Sequence, residues 1–288
     1  MTRLLHLTDF HFWHLTWNPL RIANKRALGM ANLFFRRRHA FPYRKAHEFL
    51  EYLQEAQATS VFLGGDFTTT ALEEEFALAR DWMEVLAECG MDMHAVPGNH
   101  DYYTFEALRS GRFEKYLCPW IPPEPLPAKV ELPGGSPLVL APTACPNMLS
   151  SRGRITPEEI ERTCALVSAC PQEIVLVGAH YPVLETTPWF DTHGSRGLRG
   201  AEDFRRALGD TGKKIIYLCG HTHVFTLIQD SEFPNLTHLS SGAFFMEKKT
   251  LPARGTFSEV LIDGAEFEVY LHSLVDPWQR ERVEPQVY

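Results

Sequence analysis

Five short stretches, far apart along the chain, carry the residue types that bind metals: Asp9-Phe10-His11, Gly65-Asp66, Gly98-Asn99-His100-Asp101, Gly178-Ala179-His180 and Gly220-His221-Thr222-His223. Imidazole nitrogens mixed with carboxylate and carboxamide oxygens suit Mn, Fe or Zn better than Ca. Two such ions held about 3.5–4 Å apart can share a hydroxide, lower its pKa towards neutrality and neutralise the oxygens of a phosphoryl group under in-line attack. That chemistry asks for a carboxylate between the ions, and together the stretches outline a dinuclear site. Their placement agrees, because each directly follows a run of Leu or β-branched residues that reads as a buried strand. In α/β folds, ligands gather beyond the carboxyl ends of strands.

The order and content of these stretches resemble the calcineurin-like metallophosphoesterases, whose blocks run D-x-H, G-D, G-N-H-D, a His closing a strand, and G-H-x-H. All five blocks occur in that order between Arg3 and His223. The resemblance implies that Asp9, His11 and His223 hold one metal, Asp66 bridges, and Asn99, His180 and His221 hold the other. It also implies that His100 faces the phosphate, stabilising the transition state or protonating the leaving alkoxide, a task that suits an imidazole. Asp101 is then expected to accept a hydrogen bond from His100 and fix its tautomer. Gly64, Gly65, Gly98, Gly178 and Gly220 fit independently, since a backbone turning off a strand end often needs positive φ or close approach. One departure stands out: Asp66 is followed by Phe67-Thr68-Thr69, where the family commonly has a second acidic residue. Thr69 is left to orient groups that themselves touch the metals.

The elements that must position these residues can be read from periodicity. Extended runs occur at Arg3–Leu7, Ser60–Leu63, Met93–Val96, Leu138–Ala141, Glu173–Val177, Lys214–Cys219, Leu236–Leu239, Ser258–Ile262 and Phe267–His272. Helical patterns cover Tyr43–Gln57, Leu72–Cys89, Thr156–Ser168 and the shorter Glu202–Leu208, with Thr156-Pro157-Glu158-Glu159 supplying a capping box and a proline in the first turn. Cys118–Pro146 is rich in Pro and Gly and is expected to wrap the surface as a rigid connection. Alternating strands and helices followed by a run of strands predict two packed sheets with helices outside. The resemblance implies the same α/β fold, a four-layer αββα sandwich of two mixed sheets.

With 288 residues, 44% of them hydrophobic, and no linker-like stretch, the chain reads as a single domain, 1–288. Thr2–Leu7 is too short an apolar run for a secretion signal, and no apolar stretch reaches a membrane-spanning length. Six cysteines without paired C-x-x-C spacing read as thiols of a reducing compartment, so a cytoplasmic location is expected. A net charge of −8 argues against bulk nucleic-acid binding. The charge is uneven, however. Residues 15–45, from Leu15 to Lys45, hold eight basic side chains (Arg21, Lys25, Arg26, Arg36, Arg37, Arg38, Arg44, Lys45) and no acidic one, which leaves −16 on the remainder. Leu20, Ala23, Ala27, Met30, Ala31 and Phe34 recur there at helical spacing, with Gly29 weakening the pattern. Because this basic insertion follows the first block directly, it should overhang the site. A helix of that kind either docks its apolar side on the core or meets substrate or an anionic membrane surface on the inner face.

The expected activity is hydrolysis of a phosphoester, by a hydroxide bridging two divalent or trivalent metals, with manganese the ion expected to support it. The substrate class expected first is a small phosphodiester such as a cyclic nucleotide; Arg196 and Arg199, in a Trp189-Phe190-Asp191 loop similar to one in bacterial cyclic-nucleotide phosphodiesterases, are candidate phosphate clamps against a solvated-loop reading. The second is the pyrophosphate of an amphiphilic nucleotide-lipid such as UDP-diacylglucosamine, motivated by the insertion. Readings of another class are a non-catalytic metal-binding scaffold and a peripheral membrane-binding module.

Overall fold

The computed structural model describes residues 1–19, 25–32, 41, 49–50, 52–53, 58–246, 255–273 and 279–288. Along the chain the elements are β1 (Thr2–Leu7), α1 (Arg26–Asn32), β2 (Ser60–Leu63), α2 (Glu73–Glu88), β3 (Asp92–Ala95), α3 (Phe105–Arg109) and α4 (Arg112–Leu117). There follow β4 (Ala128–Glu131), β5 (Pro137–Leu140), β6 (Gly153–Arg154), α5 (Pro157–Ser168), β7 (Ile174–Gly178), β8 (Leu198–Arg199), α6 (Ala201–Asp210) and β9 (Lys214–Cys219). The last strands are β10 (Phe225–Gln229), β11 (Leu236–Ser241), β12 (Thr256–Asp263), β13 (Glu266–Ser273), β14 (Gln279–Val283) and β15 (Gln286–Val287).

Two mixed sheets carry the site. The first runs β14-β13-β12-β1-β2-β3 and the second β15-β10-β11-β9-β7-β5-β4. β1, β2 and β3 are parallel neighbours, as are β5, β7, β9 and β11. Side chains alternate across each strand, so neighbouring residues enter different layers. Leu4, Phe62, Leu138, Leu176, Ile216, Leu239 and Val260 form one cluster between the sheets. Leu5, Leu7, Val61 and Leu63 face the other way, onto Phe76, Ala79, Met83 and Leu86 of α2. Val175, Val177, Ile215 and Tyr217 face out from the second sheet onto Ile160 and Val167 of α5 and Phe204 and Leu208 of α6. These three clusters make the expected helix–sheet–sheet–helix layering.

The predicted runs match their strands to within a few residues, and the Thr156 capping box forms, with Glu159 N–H on Thr156 Oγ1 at 3.3 Å and Thr156 N–H on Glu159 Oε2 at 2.7 Å. One expectation needs correcting. Within the supposed surface connection, Ala128–Glu131 forms an edge strand antiparallel to β5. Pro127 and Pro133 flank this strand instead of interrupting it, so its ladder loses no donor. The predicted helix Tyr43–Gln57 lies largely outside the described residues, although Phe49, Leu50, Tyr52 and Leu53 are helical. Of the insertion's repeat, Leu20, Ala23 and Phe34 lie outside them too, as do Arg21, Arg36, Arg37, Arg38, Arg44 and Lys45. Among the described residues no helix is long and apolar enough to cross a membrane.

Candidate metal centre

The loops leaving β1, β2, β3, β7 and β9 meet at one end of the sandwich. Strand pairing persists briefly past the strands: Asp9 N–H bonds Gly65 O at 3.0 Å, His11 N–H bonds Asp66 O at 2.9 Å, and Gly220 N–H bonds His180 O at 2.9 Å. The backbone there is forced. Among the described residues six non-glycines have positive φ, and five of them are predicted ligands: Asp9 (57°), His11 (52°), Asp66 (55°), His221 (67°) and His223 (59°). Such strain persists only where the surroundings over-determine it, and it concentrates at functional sites. Close approach accounts for two glycines, since a Cβ on Gly98 would collide with Asp66 Oδ1 and one on Gly220 with Asp9 Oδ2.

All seven predicted ligands converge. Single ligand atoms of Asp9, His11, Asp66 and His223 lie within 4.8 Å of one another, as do those of Asp66, His180 and His221, so Asp66 is common to both groups. Asn99 Oδ1 completes the second group, 3.2 Å from His180 Nε2 and 2.9 Å from His221 Nδ1. Except for His223, which is half-buried, every one of these residues is buried.

Four of the ligands, Asp9, Asp66, His180 and His221, are held by hydrogen bonds to the surrounding protein. Asp9 Oδ2 accepts Thr8 Oγ1–H at 2.9 Å and His221 N–H at 3.0 Å. Asp66 Oδ1 accepts His100 N–H at 2.8 Å. His180 Nδ1–H donates to Gly64 O at 2.8 Å, and His221 Nε2–H donates to Arg196 O at 2.9 Å. These bonds direct His180 Nε2 and His221 Nδ1 inward. Meanwhile Asp9 Oδ1 and Asp66 Oδ2 are buried without a hydrogen-bond partner, and His11 Nε2 faces His223 Nε2 at 3.0 Å. Two orphaned carboxylate oxygens beside facing imidazole nitrogens would be costly for a protein alone and fit a pair of cations.

The electrostatics agree. Burial would raise Asp66, but the imidazoles of His180 and His100 outweigh it and hold the carboxyl well below its usual range. Burial disfavours charge on His180 too, yet the adjoining Asp66 carboxylate raises its pKa to about 9. His221 is pushed well below the usual histidine value by burial and by His180. A cation binding here takes the place of that His180 proton.

The expectation for Asp101 is corrected. Its carboxylate accepts Gly98 N–H (2.8 Å), Thr68 N–H (3.0 Å), Thr68 Oγ1–H (3.1 Å) and Phe67 N–H (3.3 Å), not His100. Three backbone donors converge on it because the turns after β2 and β3 both point their amides inward, and burial, then the charge of Asp66, lifts its pKa to about 7. His100 Nδ1–H instead donates to the carbonyl of Thr69 at 2.6 Å, while Thr69 Oγ1–H donates to His11 O at 3.0 Å. Thr69 therefore does what was expected of Asp101. Arg196 serves through its carbonyl, and its side chain is exposed, as is Arg199. Sequence reasoning also missed Phe41, whose ring lies 4.8 Å from that of His11 and 6.0 Å from that of His223. This places the end of the basic insertion against the site.

The family model described as calcineurin-like phosphoesterase matches residues 2–225. No curated protein sequence matches the chain. Among solved structures, the chain is similar to a dimetal phosphatase from Danio rerio at 15% identity, with a TM-score of 0.64, covering 98% of this chain and 97% of that one. It is similar also to a purple acid phosphatase from yellow lupin, Lupinus luteus (12%, TM-score 0.60, 100% of this chain and 52% of that one). A third is a 5'-nucleotidase from Candida albicans (14%, TM-score 0.52, 96% and 52%). At such identities the likeness is one of fold.

Proposed function

The chain belongs to the calcineurin-like phosphoesterase family and is a metal-dependent phosphoester hydrolase; from that premise we propose that it cleaves a phosphodiester such as a cyclic nucleotide at two metals held by Asp9, His11, Asp66, Asn99, His180, His221 and His223. The observation that carries this reading is the pair of ligand groups sharing Asp66. Bound there, two divalent or trivalent ions supply Lewis acidity to the phosphoryl oxygens and acidify the attacking water, with manganese the ion proposed to support turnover. The chain's own residues do the rest. Asp66, common to both ligand groups, would offset charge on both ions, and the bonds to Gly64 O and Arg196 O keep His180 Nε2 and His221 Nδ1 turned towards the site. His100, with its Nδ1–H held by Thr69 O, acts as the imidazolium and gives its Nε2 proton to the leaving alkoxide as the phosphorus–oxygen bond breaks. Phe41 shields the ring of His11 from solvent.

A second reading, the pyrophosphate of an amphiphilic nucleotide-lipid, is favoured by Phe41 reaching the site from an insertion with eight basic and no acidic side chains. Under this reading the insertion meets the lipid, or an anionic membrane surface, and the protein works at the inner face of a membrane.

The test is hydrolysis of bis-p-nitrophenyl phosphate by chelator-stripped protein with Mn²⁺ added back, Asp66→Ala as control, then a screen of cyclic nucleotides and nucleotide-lipid pyrophosphates. Metal-restored activity absent from the mutant is expected. Inactivity together with failure to bind metal would move the chain to the scaffold class.

A further inference from the structure

His100 is braced from two sides, and both braces rest on the same helix. The carbonyl of Thr69 holds Nδ1–H, and the ring of Tyr103 stacks on the imidazole with centroids 5.4 Å apart and planes 19° apart. Helix α1, from the basic insertion, meets Tyr103 and the two residues that follow Thr69. Arg26 is 3% exposed; it donates from Nε to Thr70 O at 2.9 Å and from Nη2 to Ala71 O at 3.1 Å. Nη2 reaches Thr104 Oγ1, beside Tyr103, at 3.3 Å. Three residues on, Gly29 lets the helix come so near that a Cβ would lie 2.8 Å from Thr70 Cγ2 and 2.9 Å from the Tyr103 hydroxyl. The glycine that weakens the helical pattern is thus what allows the contact.

The loop between these supports is gripped along its length. Buried Glu75 accepts Thr70 N–H at 2.8 Å, Thr70 Oγ1–H at 3.1 Å and Leu72 N–H at 3.1 Å. Arg112 Nη1–H adds a second donor to Ala71 O at 2.9 Å. Carbonyls are held by guanidinium groups and amides by a carboxylate. Between them Ala71 sits at φ 56°, the one non-glycine with positive φ that is not a predicted ligand among the described residues. An alanine stays there only when its surroundings dictate it.

We propose that Arg26 is a positioning residue for phosphoester cleavage: by holding the Thr70 and Ala71 carbonyls, and through the close contact of Gly29 with Tyr103, the insertion helix sets the orientation of the His100 ring. This rests on the reading of His100 as the proton donor. With Nδ1–H on Thr69 O, the proton that goes to the leaving group is the one the imidazolium carries on Nε2.

The experiment compares full-length, metal-loaded Arg26→Ala, Gly29→Ala and His100→Ala, with each of the first two also combined with His100→Ala. Melting temperature checks folding, and because alanine favours a helix over glycine, a loss in Gly29→Ala does not come from unfolding α1. Two substrates are used: 3′,5′-cyclic AMP, which expels an alkoxide, and bis-p-nitrophenyl phosphate, whose leaving group departs without a proton. Arg26→Ala and Gly29→Ala should each lose about tenfold or more on cyclic AMP, and less than about threefold on the nitrophenyl ester, with metal content unchanged. In the His100→Ala background neither change should cost anything further, because residues acting through one group are not additive. Independently of any substrate, the ¹⁵N spectrum should show one hydrogen-bonded Nδ1–H environment for His100 in the parent and a shifted or heterogeneous one in both variants. An unchanged His100 spectrum, or losses that multiply with His100→Ala, would overturn the proposal. A parent that binds metal yet hydrolyses neither ester would instead overturn the proposed function, and the ¹⁵N spectrum would still decide whether α1 positions the ring.

Discussion

Asp9 and Asp66 each spend one carboxylate oxygen on the protein and keep the other for a cation. For that reason Asp66→Ala, which removes the carboxylate common to both ligand groups, should abolish metal binding and hydrolysis together, read by elemental analysis alongside the nitrophenyl assay. His100→Ala should separate the two: metal retained, and kcat on an alkyl ester down about 10²–10⁴-fold. Asp101→Ala belongs to a different class. It strands three buried backbone N–H groups that tie the loops after β2 and β3 together, so a loss of about 3 kcal/mol in unfolding free energy is expected, together with weaker metal binding. Ligand identities were legible in the chain because few residue types can bind a metal and their motif order is distinctive. Thr69 was expected to support the ligands, and its hydroxyl does hold His11 O; its hold on His100, and the roles of Gly64 and Arg196, were not legible, because each of these acts through a carbonyl that every residue possesses.

Among the elements, the first sheet is stitched by one charge. Glu259 on β12 accepts Arg3 Nε–H from β1 at 2.6 Å, His272 Nε2–H from β13 at 2.8 Å and Arg280 Nε–H from β14 at 2.8 Å. Burial would raise Glu259, but the bonds from His272 and Arg280 prevail and lower its pKa from 4.5 to about 2. A depressed carboxyl stabilises the fold above its unfolded pKa and loses that contribution as pH falls. Stability should therefore drop between about pH 4.5 and 2, and Glu259→Gln should flatten that part of the profile in urea titrations. At neutral pH the same change should cost about 2 kcal/mol, less than for a wholly buried pair because Arg280 is 40% exposed. Central strands were legible because both their faces are buried and they read as continuous apolar runs. β4, β10 and β14 were not. β4 and β14 expose polar side chains, as in Gln-Arg-Glu-Arg-Val of β14, and β10 is short and ends in Gln, so periodicity gives these strands little signal.

Across the whole molecule, folding and metal binding are linked, since the ligands come from five loops on two sheets and exist as a site only in the folded state. Stripping the metals should lower the melting temperature, and restoring Mn²⁺ to about a hundredfold over its dissociation constant should return about 2.7 kcal/mol for each site. Ligand types, their order, and the strands that end at them followed from the chain alone, because metal chemistry admits few side chains and a buried parallel strand admits few residues. The layering followed as well, from alternation of apolar runs with helical periods. Only the tertiary structure decided how the site is held: which carbonyl sets each imidazole, that Asp101 gathers amides instead of orienting His100, and that Arg26, one of eight basic residues in a stretch that reads as a solvated or lipid-facing helix, is buried against the loop beneath His100. Those outcomes depend on distances between atoms far apart in sequence and on backbone groups common to all residues, and neither leaves a mark on residue type.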